Sequence, residues 1–170
     1  MKKLPLSFFA RPALTVAKEL IGTFITMKRN GVIERFKITE TEAYVGPHDL
    51  ACHSSKGRTK RTEVMYQSPG TIYIYLIYGM YDMFNIVTDE TNYPAAVLIR
   101  GVEGITGPGK LTKHLGITRA VNGKMLGTTT GIWIEQDISS QQPKIVRTAR
   151  IEVSYAGPIW AEKKYRFLLK

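Results

Sequence analysis

The sequence is poor in the residues that form disulfides and metal sites. It contains one cysteine, Cys52, and three histidines among 170 residues. A single cysteine cannot form an intrachain disulfide, which suits a reducing compartment, and we expect Cys52 to be a small buried residue. The histidines are not spaced as ligand pairs and no second cysteine completes a zinc site. The sequence therefore predicts no bound metal.

Long apolar runs and nucleotide-binding glycine motifs are also absent. No run of 18 apolar residues occurs, and the N-terminal region lacks the apolar segment and cleavage site of a signal peptide. The sequence has no Walker-type or dinucleotide-binding glycine pattern and no Gly-x-Ser-x-Gly nucleophile elbow. We therefore expect a cytoplasmic protein that has no membrane partner and no cofactor.

Negative charge is scarce as well. Fourteen acidic residues face 24 basic ones, which gives a formal net charge of +10. A charge of this size on one domain favours an anionic partner, with nucleic acid ahead of a membrane surface, although a merely soluble basic protein is an alternative. The length fits a single domain over residues 1–170, and we expect a monomer.

Local patterns predict a mixed α+β protein whose strands are mainly antiparallel. Asn30-Gly31 is a strong hairpin signal between two strand-like runs, 23–29 and 32–44. Apolar spacing after Pro12 predicts a helix that ends at Gly22. Further expected elements are strands over 71–78, 82–88, 95–100 and 131–135, a short helix over 110–115, a polar linker over 139–142 and an alternating segment over 145–153.

Two glutamates occupy an unusual place in the second run. Read at a period of two, Glu40 and Glu42 share a strand face with Phe36, Ile38 and Tyr44. An apolar face points at the core, and burying a carboxylate costs several kcal/mol unless it is paired. The alternative is a bulge or frayed end near residue 40, which lets both carboxylates reach water. Periodicity alone leaves both interpretations open.

The segment from Thr71 to Thr88 predicts a hairpin with an apolar tip. Gly79-Met80 offers a tight reversal, which would expose Tyr78, Met80 and Tyr81. Exposed apolar side chains are costly unless something covers them, and DNA-binding proteins push such side chains between bases. The alternative is that the tip folds back onto the protein's own core.

The remaining candidate chemistry is that of carboxylates. Glutamates at i and i+2 on a strand lie roughly 6–7 Å apart, which overlaps the carboxyl separation of inverting glycoside hydrolases. One inward glutamate can also act as a general base on water. Together with the positive charge and nine tyrosines, this pattern points to hydrolysis of an N-glycosidic bond in nucleic acid.

At this point the motifs resemble those of one family, the alkyladenine (methylpurine, or 3-methyladenine) DNA glycosylases. The resemblance runs in order over nearly the whole chain. It rests on Glu40-Thr41-Glu42-Ala43-Tyr44-x-Gly-Pro, His53, Arg58-Thr59-x-Arg61, Pro69-Gly70-Thr71, Tyr73-x-Tyr75-x-Ile77-Tyr78-Gly79-Met80, Asn85, Val97-Leu98-Ile99-Arg100 and Gly107-Pro108-Gly109-Lys110-Leu111. The resemblance implies one domain with a curved, open-barrel-like antiparallel sheet, short helices around it and a protruding hairpin.

The resemblance also implies the chemistry. Glu42 matches the general base that deprotonates the attacking water, and Arg100 helps to hold that water. Glu40 has no catalytic role in the match, and we interpret it as structural and paired with a basic residue such as Arg100. No lysine matches a Schiff-base nucleophile, which implies a monofunctional enzyme that leaves an abasic site.

Further residues are implied to bind the DNA. Tyr44, His53 and Tyr75 match the walls that stack on an extruded purine, and Asn85 matches a residue that crowds the amino group of normal guanine. Tyr78 matches the side chain that fills the gap in the duplex. The residues expected to contact the DNA backbone are Arg58, Arg61 and Lys110.

The implied substrate is double-stranded DNA that contains 3-methyladenine, 7-methylguanine or hypoxanthine. Two other functions remain open from the residues themselves. One is a non-catalytic nucleic-acid-binding module, in which an inward Glu42 has no use. The other is a carbohydrate hydrolase, which fits poorly with the charge of +10.

Overall fold

The computed structural model describes residues 1–139, 141 and 143–170. Three short α-helices are present among them: α1 (Ala13–Leu20), α2 (Pro108–Leu115) and α3 (Gly157–Ala161). The strands are β1 (Lys2–Lys3), β2 (Phe24–Arg29), β3 (Val32–Tyr44), β4 (Ile72–Ile77), β5 (Tyr81–Thr88), β6 (Ala95–Val102), β7 (Ile105–Thr106), β8 (Ile132–Gln136), β9 (Ile145–Thr148) and β10 (Arg166–Leu169). The predicted linker over 139–142 includes Ser140 and Gln142, which lie outside the described residues.

The strands form one large antiparallel sheet. Its main order is β1-β8-β2-β3-β6-β5-β4, with β10 on β3, β9 on β10 and β7 on β6. Because β1 and β4 end this order without pairing with each other, the sheet of the described residues is not closed into a barrel. The predicted α+β class with an open antiparallel sheet is confirmed.

The β2–β3 hairpin forms where the sequence predicts it. Asn30 and Gly31 both have positive φ, 49° and 83°, and join Arg29 to its partner Val32. Asparagine and glycine tolerate this left-handed conformation, and their turn matches the twist of the two strands. The turn therefore fixes the register along the first half of β3.

A pair of irregularities divides β3 into two halves. Ile38 pairs with Val102 of β6, but Glu40 pairs with Gly101 and Thr41 with Ile99, so the register shifts and then returns. Ile38 and Ala43 both belong to the main hydrophobic core although five positions separate them. An odd separation means that the inward face of the strand has switched at the bulge.

The switch corrects the expectation drawn from simple alternation. Glu40 and Glu42 lie on the opposite face of the sheet from Ile38, not on the same face. The bulge near residue 40 is present, as the alternative had it, but it does not expose the carboxylates. Glu40 is 5% exposed and Glu42 is 0% exposed, so both are buried on the second face of the sheet.

The main core lies between the sheet and the first two helices. Helix α1 buries Ala13, Val16, Ala17 and Leu20, and the Thr41 hydroxyl donates to the Ala17 carbonyl at 2.8 Å. Helix α2 begins with a proline in its first turn and ends at Gly116 in the left-handed conformation. Both helices were predicted, and each fully buried aliphatic side chain stabilises the fold by about 1.5–3 kcal/mol.

The C-terminal third differs most from the expectation. The alternating segment over 145–153 is a strand only as far as Thr148, and the chain then turns toward β3. Strand β10 was not predicted, yet Arg166 pairs with Glu42 on one side and with Thr148 on the other. The second half of β3 is thus paired on both sides, by β6 and β10.

Candidate active site

A cleft of ≈ 760 Å³ opens on the face of the sheet that carries the glutamates. Six pieces of chain surround it: the end of β3, the loop 50–62, the β4–β5 hairpin, part of β6, the segment 106–110 at the start of α2 and the segment 151–155. Ligand sites in proteins usually have volumes of about 300–1,000 Å³. The cleft therefore has the size of a ligand site.

Glu42 is fully buried behind the cleft wall and is held by three donors, which belong to the lining residues Tyr44, Arg100 and Ile151. The amide N–H of Ile151 donates to its Oε1 at 2.8 Å, and the Tyr44 hydroxyl donates to its Oε2 at 2.9 Å. Nη1 of Arg100 is 3.4 Å from the same Oε2. Burial raises the pKa of Glu42, and the Arg100 charge and the two hydrogen bonds oppose that rise. Glu42 is thus a positioned carboxylate with the elevated basicity that general bases need.

Tyr44 stays protonated in this arrangement. Burial raises the pKa of its hydroxyl well above the ordinary value of 10, and the neighbouring Glu42 carboxylate raises it further. The hydroxyl can therefore only donate to Glu42. The ring of Tyr44 at the same time forms part of the cleft wall, so one residue serves both the carboxylate and the cavity.

Glu40 is paired with two arginines. Its Oε1 accepts from Nε of Arg166 at 2.6 Å and from Nε of Arg100 at 3.1 Å. The predicted pairing with Arg100 is confirmed, and Arg166 is a second partner that the sequence did not indicate. Arg100 contacts both carboxylates and also lines the cleft. It therefore lies between the two buried glutamates and the cavity.

The predicted walls of the base pocket come together. Tyr44, His53 and Tyr75 line the cleft and also a smaller adjoining cavity of ≈ 30 Å³, which Asn85 shares. The His53 and Tyr75 rings contact edge to face, with centroids 4.4 Å apart. The amide nitrogen of Asn85 donates to the Met83 carbonyl at 3.0 Å, which fixes its orientation. An aromatic surface therefore lies next to Glu42.

His53 is neutral at pH 7. Burial, together with the nearby charges of Arg61 and Lys56, lowers the pKa of its imidazole to about 4. Nδ1 of His53 is 3.2 Å from the Tyr73 hydroxyl, which anchors the ring. A neutral ring can stack on a purine that carries a positive charge without repelling it.

The hairpin tip projects from the cleft into solvent. Tyr78 is 70% exposed and Met80 is 66% exposed, so the alternative in which the tip folds onto the core is wrong. Tyr78 and Gly79 have φ of 52° and 68°, which places the tyrosine at the point of the turn. Tyr81 is also exposed, and its ring packs beside Gly109 of α2, where an added Cβ would approach the ring within 2.7 Å.

The three basic residues expected at the DNA backbone are placed differently. Arg61 and Lys110 line the cleft, and the Arg61 guanidinium lies 5.2 Å from the centre of the Tyr75 ring. Arg58 lies outside the cleft lining. It forms an ion pair with Glu63, with an N–O distance of 2.6 Å, and stacks on Tyr66.

The most important feature that sequence reasoning missed is the pair formed by Arg150 and Asp49. Both side chains are fully buried, and the two guanidinium nitrogens donate to the two carboxylate oxygens. The guanidinium also stacks on Tyr44, 4.9 Å from the ring centre. Asp49 accepts the amide N–H groups of Val45 and Ala51 as well. The pair joins the loop that leads to His53 to the segment that holds Glu42.

Cys52 is buried as predicted and lines the small cavity. No group of three or more possible metal ligands occurs among the described residues. Among the same residues, no helix has the length and apolar character that crossing a membrane requires.

Sequence comparison with known proteins identifies the family. The sequence model of the family described as "Methylpurine-DNA glycosylase (MPG)" matches residues 7–107 and 104–170. A protein of Myxococcus xanthus named "Putative 3-methyladenine DNA glycosylase" is 45% identical over 179 residues, which cover 100% of this chain and 91% of the relative. Proteins with the same name from Legionella pneumophila (strain Corby) and Methanocella arvoryzae are 43% and 41% identical. These two alignments cover 100% and 92% of this chain, and 96% and 88% of the relatives.

The family match and these relatives define a DNA glycosylase, a hydrolase of N-glycosidic bonds in DNA. The chain belongs to the methylpurine-DNA glycosylase family. The resemblance seen in the motifs is confirmed. That the protein is a monomer remains a prediction, as do the roles of the individual residues.

Proposed function

We propose that this protein removes alkylated and deaminated purines from double-stranded DNA by extruding the damaged nucleotide and hydrolysing its N-glycosidic bond with a water activated by Glu42. The proposed bases are 3-methyladenine, 7-methylguanine and hypoxanthine, and the product is an abasic site. The observation that carries the proposal is the buried Glu42 carboxylate, held by three donors beside an aromatic cleft.

The catalytic step uses the chain's own groups. Glu42 takes a proton from water, whose oxygen attacks the sugar carbon as the bond to the base breaks. Arg100, which contacts Glu42 and lines the cleft, holds that water against the carboxylate. Purines with a positive charge are good leaving groups, whereas a neutral base such as hypoxanthine depends more on the activated water.

Extrusion of the nucleotide is assigned to the hairpin tip and the aromatic walls. Taking a base out of the stack costs a few kcal/mol, and the cost is smaller for a damaged base that pairs badly. Tyr78, exposed at the end of the hairpin, fills the gap in the duplex and offsets part of this cost. Tyr44, His53 and Tyr75 then stack on the purine, and a cationic base over a tyrosine face gains about 0.5–2 kcal/mol.

Single-turnover excision from a duplex with one hypoxanthine tests the proposal, with alkali used to cleave the abasic product. We expect the wild type to release the base and Glu42→Gln to lose excision while still binding the duplex. Glu40→Gln is the matched control. It changes a buried carboxylate two residues away in β3, which also contacts Arg100 but has no proposed contact with the water. Wild-type turnover by Glu42→Gln contradicts the assignment of the base.

A wild type that releases no hypoxanthine is then tested on DNA treated with a methylating agent. Release of methylated purines alone narrows the range of bases. Binding without any release identifies a binding module on this fold, which is the result that contradicts the proposed reaction.

A further inference from the structure

Glu152 is an acidic residue at the opening of the cleft. It directly follows Ile151, whose amide N–H holds Glu42. Its Oε2 accepts a hydrogen bond of 3.4 Å from the Tyr78 hydroxyl. The side chain of Glu152 therefore bridges the segment that positions Glu42 and the tip of the β4–β5 hairpin.

The backbone at Glu152 is in the left-handed conformation, with φ of 57°. A residue with a Cβ is disfavoured in this conformation, which glycine adopts freely. The fold thus holds a glutamate at a position where backbone geometry alone favours glycine. Glycine at this position provides a replacement that removes the carboxylate and relaxes the backbone.

The charge of Glu152 is opposite to that of its surroundings. Among the described residues that line the cleft, it has the only carboxylate, whereas Lys56, Arg61, Arg100 and Lys110 supply cations. A carboxylate repels DNA phosphates, and phosphate contacts supply most of the affinity of such surfaces for DNA. Binding of the DNA backbone therefore does not explain the presence of Glu152.

We propose that Glu152 is a specificity-determining residue that favours positively charged alkylated purines over neutral deaminated purines; the inference rests on the proposed function. A purine alkylated at a ring nitrogen carries positive charge, which a nearby carboxylate attracts, whereas hypoxanthine is neutral. Movement of Tyr78 into the duplex ends its hydrogen bond to Glu152 and frees the carboxylate to face the nucleotide. DNA that covers the cleft also excludes water, which strengthens the attraction.

The test compares two duplexes that differ only in one base, 7-methylguanine or hypoxanthine. The measured quantity is the ratio of their single-turnover excision efficiencies, the rate constant divided by the dissociation constant. We expect Glu152→Gln and Glu152→Gly each to lower the cationic-to-neutral ratio by about threefold to fivefold, the upper part of the range of charge interactions at exposed sites. Glutamine keeps the strained backbone and glycine relaxes it, so agreement between the two assigns the effect to the charge.

Glu34→Gln is the control for net charge, since Glu34 is an exposed residue of β3 outside the cleft. Its ratio is expected to equal that of the wild type, and higher salt is expected to reduce the effect of the Glu152 variants. A ratio within twofold of wild type in both Glu152 variants, or an equal loss on both bases, overturns the inference alone. A wild type that releases neither base overturns the proposed function and the inference together.

Discussion

The amide N–H of Ile151 donates a 2.8 Å hydrogen bond to Oε1 of Glu42, although 109 positions separate the two residues in the chain. The neighbouring Arg150 stacks on Tyr44, whose hydroxyl donates to the other oxygen of Glu42. Ile151 therefore contacts the Glu42 carboxylate directly. Arg150 contacts it indirectly, through Tyr44. The geometry of the site depends on how firmly the segment that carries these two residues is attached.

The buried Arg150–Asp49 pair is expected to provide that attachment. Arg150→Met leaves the Asp49 carboxylate buried without its partner, and breaking such a pair costs about 3–5 kcal/mol of unfolding free energy. Urea unfolding followed by circular dichroism measures the loss. Arg58→Met is the matched control, since Arg58 and Glu63 are about half exposed and exposed ion pairs contribute little to stability. Equal losses in the two variants contradict the role of the buried pair.

The pH dependence of excision is expected to report the ionisation of Glu42. A general base must be deprotonated, so the rate on hypoxanthine rises with pH as Glu42 loses its proton. Burial raises the pKa of Glu42 and the Arg100 charge opposes that rise. Arg100→Met removes the opposing charge, so the rising limb of the profile is expected to move to higher pH. Single-turnover rates between pH 5 and pH 9 measure the displacement.

Arg166→Met is the control for this shift. Arg166 pairs with Glu42 through the backbone of β10 and β3, but its guanidinium bonds to Glu40 and, among the described residues, forms no ion pair with the Glu42 carboxylate. The rising limb of the pH profile of Arg166→Met is expected to stay at the wild-type position. A limb that moves to lower pH in Arg100→Met shows that another group is titrating.

Stability at mildly acidic pH is expected to depend on His53. The pKa of His53 is about 4 in the folded protein and 6.5 in the unfolded chain, so the unfolded state binds more protons between these values. Stability from this group is thus complete above pH 6.5 and is lost as the pH falls toward 4. The loss between pH 7 and pH 5 amounts to about 2 kcal/mol. His53→Asn is expected to reduce the fall in unfolding free energy over this interval, and an identical fall in both proteins contradicts the assignment.

Much of the fold could be predicted because its signals are local. Asn30-Gly31 specifies a turn that few other residues adopt, and the spacing of Leu14, Ala17 and Leu20 specifies a helix. The bulge in β3 has no such signal, since Thr39 fits a regular strand as well as an irregular one. Its position depends on pairing with β6, more than 50 residues later, so simple alternation gave the wrong face for Glu42.

The site was predictable to the extent that its residues lie in recognisable motifs. Tyr44, His53, Tyr75 and Arg100 all reach the cleft. Asp49 and Arg150 have no local pattern that marks them as partners, because 101 positions separate them. Ile151 contacts Glu42 through its backbone N–H, a group that every residue except proline has. Its side chain therefore gives no signal in the sequence.

The exposed tip of the hairpin gives the last prediction. Tyr78→Ala is expected to slow excision of hypoxanthine by about tenfold in a well-paired duplex, since an aromatic contact with bases is worth about 1–3 kcal/mol. The loss is expected to be smaller when the lesion lies in a mismatch, because less energy is then needed to unstack it. Met80→Ala is the control at the same tip, where a 66% exposed side chain is shortened without loss of an aromatic ring. Equal rates for Tyr78→Ala and wild type on the well-paired duplex contradict the insertion of Tyr78, because extrusion of a stable base pair is the step that most needs the gap to be filled.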